Sequence, residues 1–181
     1  MIEGEALVLP PEAAGAAKAY LRVERADEDG LIAGLVAAAA ELCEAFIGRP
    51  LLERDFTETL PAGRAWRRLG NGPVRSITQV ETAPAEGPAL ALPAEDYGID
   101  IDSRGDGWVR LTGTGEVKRI RVVYRAGLAS GWADLPAALR QGVLRLAAHF
   151  YTSRATEGAR ASEPPAAVAA LWRPFRRLRL R

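Results

Sequence analysis

The sequence predicts an α+β chain, with a core of three to four helices and an antiparallel β insertion between the second helix and the central one. Two periodicities carry that reading. Residues 27–47 and 134–154 repeat apolar side chains every three or four positions, which gives each helix a dry face. Between them, residues 51–127 alternate at spacing two and are broken by Pro-Ala-Gly, Gly-Asn-Gly-Pro, Ala-Glu-Gly-Pro, Arg-Gly-Asp-Gly and Thr-Gly-Thr-Gly turns. A chain of 181 residues, 48% hydrophobic, is long enough for one well-buried core and short for two. Residues 1–181 therefore read as one domain, with 51–127 as an inserted β subdomain.

In chain order, residues 11–23 follow Pro10-Pro11, are rich in Ala, and predict a short helix anchored by Tyr20 and Leu21. The acids between Arg25 and Gly30 are placed to cap a second helix over 27–47. Leu31, Ile32, Leu35, Val36, Ala39, Leu42, Cys43, Phe46 and Ile47 share its apolar face, and Gly48 ends it. Strands follow at 51–60, 65–69, 74–82, 97–101, 108–111 and 117–124, and the ends of this excursion must meet for the flanking helices to pack. The central helix, 134–154, starts with Asp134 as a cap and Pro136 near the first turn. Its dry face holds Leu139, Val143, Leu146, Ala147 and Phe150, opposite Gln141, Arg145 and Thr152. Gly142 in mid-helix reads equally as a close approach by a neighbour or as a tolerated cost of about 1 kcal/mol. A polar stretch at 156–165 leads to a short helix over 165–172 and an arginine-rich end.

The net charge of +1 gives no global basic field, which argues against a dedicated nucleic-acid binder. The charge is unevenly spread. Residues 1–50 hold nine acids and four bases, whereas residues 134–181 hold three acids and nine bases. Such polarity suits head-to-tail contact between copies. The single cysteine, Cys43, excludes an intrachain disulfide and fits a reducing compartment. The start of the chain lacks a signal-peptide pattern, and the apolar run 31–40 falls short of the roughly 20 residues of a membrane span.

Sites of chemistry are sparse. Residues 100–111 begin like a calcium loop, but Arg104 and Leu111 stand where ligands are needed, so a hairpin turn is the better reading. The glycines at 113 and 115 fail as a phosphate cradle, because Lys118 occupies the third glycine's place and a strand follows. His149 is the sole histidine, which rules out paired-His metal sites. No catalytic, cofactor or metal site is predicted, and the chain does not read as an enzyme. The C-terminal end is more informative. From Leu171 onward, five arginines are interleaved with Trp172, Phe175, Leu178 and Leu180, a mixture typical of interface hot spots. A docking peptide that orders on a protein partner is favoured over packing back on its own subunit or binding nucleic acid.

Several stretches together resemble a known family. They are Asp29-Gly-Leu-Ile-Ala-Gly-Leu-Val with Glu44 and Arg49, Pro73-Val-Arg-Ser-Ile-Thr-Gln-Val80, Val122-Val-Tyr-Arg-Ala-Gly127, the helix from Leu135 to Tyr151 with Arg154, and Leu171-Trp-Arg-Pro-Phe-Arg-Arg-Leu-Arg-Leu180. In order and spacing they resemble the head–tail connector, or adaptor, proteins of long-tailed phages and gene transfer agents. Gly142, where Ala is expected, and the first residues depart from the pattern. The resemblance implies a helical connector fold with a β insertion and no cofactor. It also implies a dodecameric ring beneath a portal protein that meets a tail-side connector or terminator protein, surrounds packaged DNA without a membrane, and reaches the particle neck after cytoplasmic assembly. On this reading Trp172, Arg173, Phe175, Arg176, Arg177, Leu178, Arg179 and Leu180 dock on the portal, within a docking segment of 165–181, and Glu41, Glu44, Arg140 and Arg145 join neighbouring subunits. The alternative is a soluble nucleic-acid-binding protein that uses the arginine-rich tail.

Overall fold

The computed structural model describes residues 1–113, 117–153 and 164–177. The chain divides into two compact units, one of residues 1–6 and 53–128, the other of residues 7–52 and 129–181. The α+β class read from the sequence holds.

The second unit is helical, with α1 Pro11–Leu21, α2 Asp29–Ile47, α3 Ala137–Ser153 and α4 Ala166–Trp172. Proline opens α1, and Arg22 closes it in the left-handed region at φ 56°. There the Arg22 and Val23 N–H groups return to the Ala19 and Lys18 carbonyls. The residues of α1 that enter the core are Ala13 and Ala17, whereas Tyr20, expected as an anchor, is exposed. The acids before α2 do other work than capping. Glu28 accepts the Tyr151 hydroxyl at 2.7 Å, and Asp29 pairs with Lys18. Gly48 ends α2 as expected, at φ +68° with its N–H on the Glu44 carbonyl.

The core of this unit gathers Ile32, Val36, Cys43 and Ile47 of α2 with Leu139, Val143 and Leu146 of α3 and Val168 and Trp172 of α4. Leu35, Phe46 and Phe150, placed on dry faces by periodicity, are only half-buried, and Leu31 is exposed. Leu52 bridges to Ala129, whose N–H donates to the Leu51 carbonyl at 3.1 Å, so the two ends of the β excursion meet as predicted.

Among the described residues the first unit holds seven strands: β1 Ile2–Gly4, β2 Arg54–Pro61, β3 Arg67–Arg68, β4 Val74–Thr82, β5 Tyr97–Ile101, β6 Gly107–Leu111 and β7 Arg119–Ala126. They form a four-stranded sheet of order β1-β2-β7-β4 and a three-stranded sheet of order β3-β6-β5, paired antiparallel throughout. Six strands match the alternating stretches; β1, formed by the ill-matched first residues, was not foreseen. On β7, Ile120, Val122, Tyr124 and Ala126 point into a core shared with Phe56, Leu69, Val80 and Val109. The intervening arginines stay outside, Arg121 on Glu81 and Arg125 on Asp55.

One acid goes inward. Glu58 lies on the same face of β2 as Phe56 and Leu60 and is buried, accepting the Gly70 N–H at 2.7 Å and the Tyr124 hydroxyl at 3.1 Å. Tyr124 in turn accepts the Asn71 N–H at 3.2 Å, which ties the 70–71 turn to the sheet. Glu58→Leu is expected to cost about 1–3 kcal/mol by stranding buried donors, and Glu58→Gln less, because both donors meet the same oxygen, Oε2, and an amide oxygen can still accept them. Urea denaturation of both variants checks this; equal losses would show that size, not hydrogen bonding, fixes the site.

Candidate functional site

The end of the chain is where the sequence placed most function, and local chemistry explains its course. Residues 166–170 are small and helix-forming after Pro164-Pro165, so α4 starts at once and is short. Pro174 then tightens the chain into a single 3₁₀ turn, Arg173–Phe175. Trp172, at the junction, is fully buried. Its indole lies against Gly142 of α3, and a Cβ at that position would sit 2.8 Å from the ring atoms Cδ1 and Cε2. The indole Nε1 donates to the Leu139 carbonyl at 3.4 Å, and Phe46 of α2 meets the ring at a centroid distance of 5.8 Å. Gly142 is therefore a notch cut for Trp172, which decides between its two readings.

Trp172 is thus a correction to the docking segment: it is an internal wedge of the helical unit, because its large apolar ring and its N–H are both satisfied within the chain. The backbone stays attached a little further. Arg177 N–H donates to the Ile47 carbonyl at 2.8 Å, and the Arg176 guanidinium lies 5.5 Å over the Phe46 ring. Arg173, Pro174 and Arg176 are exposed and Phe175 is half-buried. Leu178, Arg179 and Leu180 lie outside the described residues.

The four residues expected between subunits separate in the structure. Glu41 is exposed on α2 and lines a groove with Ala38, Leu42, Ala45 and Phe150. Glu44 accepts the Leu51 N–H at 2.6 Å and so caps the turn after α2 in its own chain. Arg145 is exposed on α3, and Arg140 is half-buried.

The chemical groups are held apart. His149 is exposed. Burial pushes the Cys43 thiol far above its ordinary range, and the nearby Glu44 adds to the effect, so the sulfur is inert. Asp102 closes the hairpin between β5 and β6 by accepting the Arg104 and Asp106 N–H groups, each at 2.9 Å, and Trp108 Nε1 at 3.2 Å. The Asp106 N–H, followed by the Trp108 indole, holds this carboxyl below its usual range. Its oxygens serve the turn that the sequence predicted there. Among the described residues no cluster of three or more His, Cys, Asp or Glu side chains is placed to hold a metal ion.

Comparison with solved structures aligns the whole chain, rather than one unit, with chains of gene transfer agent particles. A chain in the neck of an empty gene transfer agent particle, computed with C6 symmetry, is 25% identical and aligns over 99% of this chain and 97% of its own, with a TM-score of 0.78. This chain has the gene transfer agent neck fold. A chain of the native gene transfer agent virion aligns over the same shares at 25% identity and a TM-score of 0.74. A third, from a native neck computed with C12 symmetry, aligns at 24% identity and 0.73. No family model and no curated protein matches the sequence. The neck fold accounts for the resemblance noted in the sequence, and nothing among these similar chains supports the nucleic-acid-binding alternative.

Sequence reasoning missed the pairing of Gly142 with Trp172. Its signal was present, since an unexplained mid-helix glycine and a tryptophan just past a short helix are each out of place alone.

Proposed function

We propose that the chain is a structural head–tail connector that forms a ring beneath the portal of a phage-like particle and joins the DNA-filled head to the tail. The observation that carries this reading is the likeness over 99% of the chain to neck chains of gene transfer agent particles. The C6 and C12 symmetries of those necks support a closed homo-oligomeric ring, with dodecamers matching the latter. The portal on one side and a connector or terminator protein on the other complete the path, and cytoplasmic assembly precedes incorporation in the neck.

Within this role the end of the chain is the portal-gripping element, in a narrower form than the sequence suggested. Trp172 anchors the segment to the helical unit, and Arg173, Phe175, Arg176 and Arg177, continued by Leu178, Arg179 and Leu180, make the contact. Arginine forks pair with carboxylates on a partner while the apolar groups enter its pockets. Removal of residues 178–181 is expected to leave helix content and melting temperature unchanged while abolishing attachment to portal-bearing heads, since the loss repeats around the ring. Co-sedimentation with such heads decides it: normal attachment of the truncated chain would end the docking role of the tail, and failure of the intact chain to attach would end the connector reading itself.

A further inference from the structure

α2 leaves an apolar surface open in the helical unit. Over its best window this helix has a mean hydropathy of 1.8, the level of helices that cross membranes, yet only 33% of the window is buried in its own chain. Ile32, Val36, Ala39, Ala40, Cys43 and Ile47 face inward. Leu31, Gly34, Ala38 and Ala45 recur outward at helical spacing and are exposed. Between α2 and Phe150 of α3 runs the groove of about 550 Å³ lined by Ala38, Leu42 and Ala45, with Glu41 as its one charge. Small side chains on an outward face allow a second helix to approach closely, but they do not say whose helix it is.

Charge supplies the answer. The segment from α1 through α2 carries seven acids, Glu41 among them, against the three bases Lys18, Arg22 and Arg25, whereas residues 137–153 and 164–177 contain Arg140, Arg145, Arg173, Arg176 and Arg177 and no acid. The charge on the groove is thus the acid of α2, whereas the charged groups of α3 and α4 are all basic. Two different, complementary surfaces on one molecule join head to tail, and such contacts close into rings when the rotation allows. We infer that the α2–α3 groove is the seat of a second copy of this chain, whose α3–α4 side brings an exposed arginine such as Arg145 or Arg173 beside Glu41. The inference rests on the connector reading for closure of the ring, but not for the pairing. A lipid surface fits the groove less well, because it would bury the Glu41 carboxylate without a partner.

The test uses the full-length chain alone, with a benzophenone amino acid at Ala38, irradiated in concentrated solution. The expected product is a chain-to-chain adduct whose cross-linked peptide lies in 137–153 or 164–177 of the other copy. Glu41→Arg should lower its yield about tenfold or more by setting like charges together. The exposure of Glu41 keeps the variant folded, and circular dichroism checks that. Ala38→Glu, without the probe, should shift sedimentation toward the monomer. Adducts that join α2 only to α2, the absence of any chain-to-chain adduct, or flotation of the chain with phosphatidylglycerol vesicles through this face would each overturn the inference. With no portal or head in the experiment, these outcomes leave the co-sedimentation test of the connector role untouched.

Discussion

Replacing Trp172 with alanine is expected to destabilise the helical unit by about 3–5 kcal/mol, the largest single loss in the chain. The side chain is fully buried, its N–H is bonded to the Leu139 carbonyl, and the Phe46 ring packs on it, so truncation removes a large apolar area and leaves a cavity beside α3. The complementary change sharpens the prediction. Gly142→Ala alone should gain about 1 kcal/mol of helix propensity. It should lose about 1–3 kcal/mol to overpacking, because the new methyl enters the indole ring. In the Trp172→Ala background the clash is gone and the same substitution should become stabilising. A double-mutant cycle in urea measures this change of sign. A Gly142→Ala variant that is stabilised in the presence of Trp172 would show that the notch is not needed.

Leu139→Ala is expected to follow, with a loss of about 2–5 kcal/mol, because Leu139 is wholly buried where α3 meets its neighbours and its carbonyl also receives Trp172. Phe150→Ala should cost the isolated chain clearly less. Although both residues lie on one side of the helical wheel, Phe150 is only half-buried and lines the open groove. Chemical denaturation of the two variants separates them. Equal losses would mean that Phe150 is packed as deeply as its position on the wheel implies.

That pair also shows what periodicity can and cannot tell. The apolar faces of α2 and α3, and the strands at 74–82 and 97–101, were legible because burial on one side imposes a spacing of 3.6 or 2 on the sequence. Gly48 was legible because a left-handed cap needs glycine more than any other residue. Phe46 and Phe150 fall on dry faces as expected but are only half-buried, and Leu31, placed on the same face of α2, points outward. A side chain selected to meet another molecule repeats with the same period as one selected to meet its own core, so the pattern cannot assign the partner. Trp172 failed in the opposite direction. The arginines that follow it gave it the look of an interface anchor, and its true pocket is a gap in a helix 30 residues earlier, at Gly142. Glu58 could have been read from the sequence, since spacing two sets it with Phe56 and Leu60, yet charge made it look like a surface residue. β1 left too short a pattern, three residues, for any period to appear.

The order in which the packed helices are made has a cost during synthesis. α2 ends at Ile47, and α3, which covers its inner face, begins only at Ala137, with the whole β excursion between them. A ribosome adds about 5–20 residues per second, so α2 spends several seconds with only α1 of the helical unit beside it. During that interval its inner stripe of Ile32, Val36, Cys43 and Ile47 is as open as its outer one, on one of the most apolar segments of the chain. The chain thus passes through a stage at which nascent copies on neighbouring ribosomes can stick by a face that later belongs to the core, and only the arrival of α3 tells the two faces apart.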